Sequence, residues 1–254
     1  MQINGVLMSK NTALADVRNG EIIILNEQLL PLYLKNFRNI EAWLLSRAID
    51  THRTNSRLLK RALRLTNADE IQLVLNVNAA TITDTYWFKE ENCNLTYEDV
   101  RFKYNFFDKL ALYGDPDSFN NEYSRTPELT NIGSFEKCWR IIDGKWWLYK
   151  QGNDFEQFSE LFIYEFGKAL GFNMAFYEKD GDFIRSLDFT DGAKVNFELA
   201  EGLVGDDEDY VKNFECLNAL SPVAAQQYVE MLYLDAICFN MDRHTKNYGI
   251  LRDV

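Results

Sequence analysis

Asp143-Gly144 stands between two β-prone runs, Cys138 to Ile142 and Lys145 to Lys150. Both turn residues tolerate the positive φ angles of a two-residue hairpin, so this stretch predicts two antiparallel strands. Side chains alternate along a strand, which puts Trp146, Leu148 and Lys150 on one face. A lysine ending an apolar face either packs its stem and sends its amine to water, or meets a charged partner. A second turn, Arg18-Asn19-Gly20, separates Thr12 to Val17 from Glu21 to Leu25, with Gly5 to Lys10 before them, and predicts a small N-terminal antiparallel sheet.

Helical periodicity follows that sheet. Ile40, Trp43, Leu44 and Ala48 share a face, as do Leu58, Leu59, Ala62 and Leu63, and Asn67 with Glu70 forms a candidate cap for Ile71 to Leu75. Beyond the hairpin, a helix is predicted from about Glu156 to Leu170, ended by Gly171. Simple helical counting puts Glu165 within its apolar stripe and Glu160 outside the centre, and either could meet a cation from the hairpin. Strands follow around Met174 to Glu178 and Phe183 to Leu187, turning at Lys179 to Asp182, and a long helix spans about Ala224 to Phe239. Asp235 interrupts the apolar run of Met231, Leu232, Leu234, Ile237 and Cys238.

With 46% hydrophobic residues in 254, the chain can bury a core across one large or two small domains. Thirty-nine acidic against 27 basic residues give a net charge of -12, which disfavours a broad nucleic-acid surface. One local exception is a basic stretch in which Arg53, Arg57, Arg61 and Arg64 fall on one helical face. An acidic partner, or acidic residues of the same chain, accounts for it better than a polyanion does. Asp206-Asp207-Glu208-Asp209 reads as a solvated acidic loop. The four cysteines form no C-x-x-C pair, so neither a disulfide framework nor zinc is expected, and a reducing cytoplasm fits. The first thirty residues show no signal-peptide pattern, and no apolar run approaches a bilayer span.

The chemistry-bearing cluster follows the long helix: Asn240-Met241-Asp242-Arg243-His244-Thr245-Lys246-Asn247-Tyr248-Gly249. A carboxylate five positions before a carboxamide is the spacing with which kinases orient an attacking hydroxyl and hold Mg²⁺. Here it comes after a glycine turn, a strand lysine and a glutamate-bearing helix, in kinase order.

This stretch resembles the N-x-D-R-H-x-x-N-x-G catalytic loop of the HipA-like serine/threonine kinases, bacterial relatives of the protein-kinase fold. The resemblance runs from about Glu128 to Asp253. Asn131-Ile132-Gly133-Ser134-Phe135-Glu136-Lys137 is similar to the phosphate-covering loop, Leu148-Tyr149-Lys150 to the strand with the nucleotide lysine, and Ser159-Glu160 through Leu170-Gly171-Phe172 to the glutamate-bearing helix.

It implies an α+β chain: an N-terminal α/β region over 1–125, a kinase-like small lobe over 126–192 and the start of a helical lobe over 193–254. It also implies Mg-ATP as cosubstrate, Asp242 as catalytic aspartate and Asn247 as Mg²⁺ ligand. Lys150 would contact nucleotide phosphates, Glu160 would pair with Lys150, and Gly133 would give the phosphates close access to the backbone. Ser134 is a candidate for autophosphorylation, or else a turn cap. The family's second magnesium aspartate lies well downstream of the asparagine, and Val254 is seven residues past Asn247. The expectation is therefore an incomplete kinase, with a kinase-fold binding module as alternative. A protein substrate, a regulatory protein partner as in toxin-antitoxin pairs, or self-association over an exposed apolar face between Met231 and Phe239 would be its partners.

Overall fold

The computed structural model describes residues 2–50, 52–120, 122–133 and 135–253. The chain folds as α+β, with antiparallel sheets and helices in alternation. Strands β1 (Gly5–Ser9), β2 (Thr12–Arg18) and β3 (Glu21–Ile24) form the N-terminal sheet, joined later by β4 (Tyr86–Glu90) in the order β3-β2-β1-β4. Asn19 and Gly20, with φ of 52° and 83°, make the β2–β3 turn that their residue types predict.

Short helices α1 (Leu32–Phe37), α2 (Ile40–Leu45), α3 (Ser56–Ala62) and α4 (Glu70–Leu75) separate β3 from β4, and α5 (Tyr97–Val100) and α6 (Asp108–Tyr113) follow it. α4 is capped by Asp69 rather than Asn67. The Asp69 side chain accepts from Gln72 N while Gln72 reaches back to Asp69 N, a reciprocal box that satisfies two orphan donors together.

The hairpin of β5 (Lys137–Ile142) and β6 (Lys145–Lys150) turns at Asp143 and Gly144, with φ of 51° and 75°. With β7 (Tyr177–Asp180) and β8 (Phe183–Leu187) it forms a second sheet, β5-β6-β8-β7. Between them runs α7 (Asp154–Ala169), started by an Asn153–Glu156 capping box and followed by Gly171 at φ 80°. β7 starts three residues later than the apolar pattern suggests, and Asp180 already pairs with Phe183, leaving a two-residue turn.

β9 (Asn196–Leu199), α8 (Glu201–Val204), α9 (Tyr210–Leu220) and α10 (Pro222–Cys238) complete the helical portion, and β10 (Gly249–Arg252) returns antiparallel to β9. Gly249 is required there: a Cβ would collide with the Glu198 carbonyl.

The expected division near residue 125 does not interrupt the core. Met8, Ile49, Leu59, Leu73 and Phe107 pack in one cluster with Cys138, Trp139, Trp146 and Tyr149 of the hairpin. A further seam joins β9 to the front of the chain. Glu198, buried, accepts from Leu32 N at 2.6 Å, Tyr86 Oη at 3.0 Å and Arg252 at 2.9 Å, and Phe197 N donates to Thr83 O at 2.9 Å.

Two charge readings change. Arg53 precedes α3 and its side chain is enclosed against Glu128, so the four-arginine face does not exist; Arg57 and Arg61 stay exposed on α3, and Arg64 lies past its end. The acidic run is only partly solvated. Asp206 pairs with Lys246 at 3.2 Å, Asp207 with Lys212, and Asp209 caps α9.

Candidate functional site

A cavity of about 480 Å³ lies between the N-terminal region, the second sheet and the loop after α10. Its walls include Trp43, Arg47 and Asp84 on one side, Gly133, Lys137 and Lys150 on another, and Ser186 to Phe189 at the end of β8; Lys246 and Asn247 close it from the loop.

Lys150 occupies the last position of β6, directly across from Lys137 of β5. Its Nζ donates to Glu160 Oε1 at 2.6 Å and lies 3.5 Å from the Tyr177 hydroxyl. Burial works to lower the Lys150 pKa, but Tyr177 and Glu160 overcome it and hold the ammonium well above its ordinary value. Glu165, the alternative partner, points outward and pairs with Lys168 one turn along the same helix. The period of α7 explains this: with Gln157, Tyr164 and Gly167 turned inward, Glu160 lies on the flank facing the hairpin.

Lys137 is the residue that the sequence reading passed over. Burial, reinforced by the Arg53 and Lys150 cations, pushes its pKa down to about 8. Gly133 has φ 110°, and a Cβ on it would collide with Lys137 Nζ. Two lysines and a glycine loop thus converge on one end of the cavity, an arrangement suited to a polyanion. The Lys137 signal in the sequence is a lysine four positions after Gly133; the pairing with Lys150 comes from the strand register.

The loop after α10 is held by Asp235. Its carboxylate takes Arg243 in a bidentate pair at 2.6 and 2.7 Å and accepts from Asn240 Nδ2 at 2.7 Å. Farther on, Glu201 N donates to Thr245 O and Ala200 N to Tyr248 O. The Asn247 amide donates to the Asp242 carbonyl, closing the loop on itself, while its Oδ1 accepts from Arg243 at 3.2 Å and His244 N at 3.3 Å. Asn247 lines the cavity; Asp242 is exposed on the same loop and is not among the lining residues. Ser134 lies outside the described residues.

These residues fit a polyphosphate better than a resident metal. Among the described residues no three His, Cys, Asp or Glu side chains cluster as a metal site, and Asn247 Oδ1 is already engaged by N–H donors. Among the described residues, no helix is long and apolar enough to cross a membrane. No family model, curated protein or solved structure matches the chain.

Proposed function

We propose that the cavity binds ATP and that the chain is a kinase of the HipA-like kind, with a protein-kinase-like small lobe followed by helical-lobe elements. The observation that carries this reading is the Lys150–Glu160 pair at 2.6 Å, with Lys150 lining a cavity that Gly133 and Asn247 also line. A strand lysine fixed by a helix glutamate is how kinases present a cation to nucleotide phosphates. In this reading Lys150 and Lys137 bind phosphate oxygens, and Gly133 lets the backbone come close.

Asp242 takes the proton of the acceptor hydroxyl as that oxygen bonds the γ-phosphorus. The bond from the γ-phosphorus to the β–γ bridging oxygen breaks and ADP leaves. Mg²⁺ enters only as the counter-ion accompanying the nucleotide.

The test is γ-phosphate transfer from radiolabelled ATP to a serine-containing protein mixture, or to the chain itself at Ser134. The expected outcome is label incorporation that Asp242→Asn lowers by about 10²-fold or more, the usual range for a lost general base. Equal incorporation by both proteins would sink the role of Asp242.

A second reading is favoured by the Asn247 Oδ1 contacts and the outward position of Asp242: a nucleotide-binding module without transfer. ATP binding abolished by Lys150→Met, with no labelled product from the parent chain, would select it.

A further inference from the structure

Arg53 has surroundings that packing alone does not explain. Its side chain is fully enclosed, as is that of Glu128, whose Oε2 lies 3.6 Å from the guanidinium. Arg53 NH1 donates to the Asn131 carbonyl at 3.0 Å and NH2 donates to the Lys137 carbonyl. Asn131 and Lys137 are the two stems of the loop that carries Gly133, so one planar fork ties them together.

Glu128 seats the fork from below. It accepts from Asn131 Nδ2 at 2.8 Å, from Asn105 Nδ2 at 2.8 Å and from Trp139 N at 2.7 Å. Two residues after Arg53, Asn55 N donates to Glu136 Oε1 at 3.2 Å, a second tie from the same segment. Between the stems, Ile132 is 40% and Phe135 63% exposed. A buried ion pair is costly to assemble, and an apolar residue would fill this space at least as well. What the apolar residue would not supply is the pair of donors spanning both stems.

We propose that Arg53 is a positioning residue, the contact through which the N-terminal region sets the 131–137 loop over the cavity and thereby sets its affinity for a nucleotide. The affinity half rests on the ATP reading above; the loop half does not. Lysine at position 53 keeps the charge beside Glu128 but cannot bridge two carbonyls.

The test uses the full chain with two readouts: Mg-ATP affinity by titration calorimetry, and chymotryptic cleavage after Phe135 identified by fragment mass. Arg53→Lys is expected to weaken Mg-ATP binding on the order of tenfold, the scale of a lost charge-assisted hydrogen bond, and to speed cleavage after Phe135 by about as much. Arg140→Met, which removes the Arg140–Asp108 pair at 2.7 Å elsewhere on β5, is expected to leave both readouts unchanged. Should Arg53→Lys fail to fold, Arg53→Met combined with Glu128→Gln removes both buried charges while keeping an acceptor for Trp139 N.

Unchanged cleavage and unchanged affinity in a folded variant overturn the proposal, as does an Arg140→Met protein that behaves like Arg53→Lys. If the parent chain binds no Mg-ATP, the ATP reading and the affinity half fall together, and cleavage after Phe135 still decides the clamp.

Discussion

Lys137 and Lys150 face each other across β5 and β6, yet their surroundings drive their acidities apart. Lys150 is held charged by Tyr177 and Glu160, whereas burial brings Lys137 to about 8. Only the protonated amine of Lys137 attracts an anion. Affinity for ATP or tripolyphosphate is thus expected to fall as pH rises through about 8, and Lys137→Met to flatten that step, both measurable by calorimetry at constant ionic strength. A step that survives the substitution would assign the titration elsewhere. The stability contribution has the opposite sign. Because the folded-state pKa lies below the unfolded one, the unfolded chain binds the extra proton between about pH 8 and 10.5, and the Lys137 penalty to folding is relieved as pH rises through that window.

At the scale of elements, the most consequential is the junction of α10 with the loop that follows it. A bidentate Asp235–Arg243 pair on a largely buried carboxylate holds the loop's first half to the helix. Asp235→Asn leaves Arg243 with an uncompensated charge, and a loss of about 3 kcal/mol is expected from urea unfolding curves, at the low end for a broken buried pair. A change within 0.5 kcal/mol would mean that the ion pair contributes little to folding. Asp235 was visible in the sequence as the acid that interrupts the apolar Met231 to Cys238 run, but its partner was not, because helical spacing says nothing about a loop that doubles back.

Elements defined by local chemistry were legible: the Asn19-Gly20 and Asp143-Gly144 hairpins and the body of α7 follow from turn residues and period. Arg53 was misplaced because a helical wheel assumes a helix, and the chain there is still turning into α3. Lys137 was missed because its meaning depends on strand register, which pairs it with Lys150 only once the hairpin is built.

At the scale of the whole molecule, the front and back of the chain share their interior. Trp146, on the hairpin, packs in the same cluster as Met8, Leu59 and Phe107. Trp146→Ala is expected to cost about 3–5 kcal/mol and to shift a single transition that far-UV circular dichroism and tryptophan fluorescence report together. Two separate transitions, with only the later one displaced, would show that the shared interior does not couple the halves. Exposed apolar groups lie on the loop beyond α10, where Phe239 is 84% and Met241 87% exposed, and on α7, where Phe155 is 84% and Phe158 64% exposed.

A shared interior also orders events during synthesis. The cluster that β1, α3 and α6 share is incomplete until the β5–β6 hairpin has left the ribosome, and Glu198 reaches back 166 positions to the Leu32 amide. The first 125 residues therefore wait, partly collapsed and adhesive, while the rest is translated, and it is in that interval that a chaperone has most to protect.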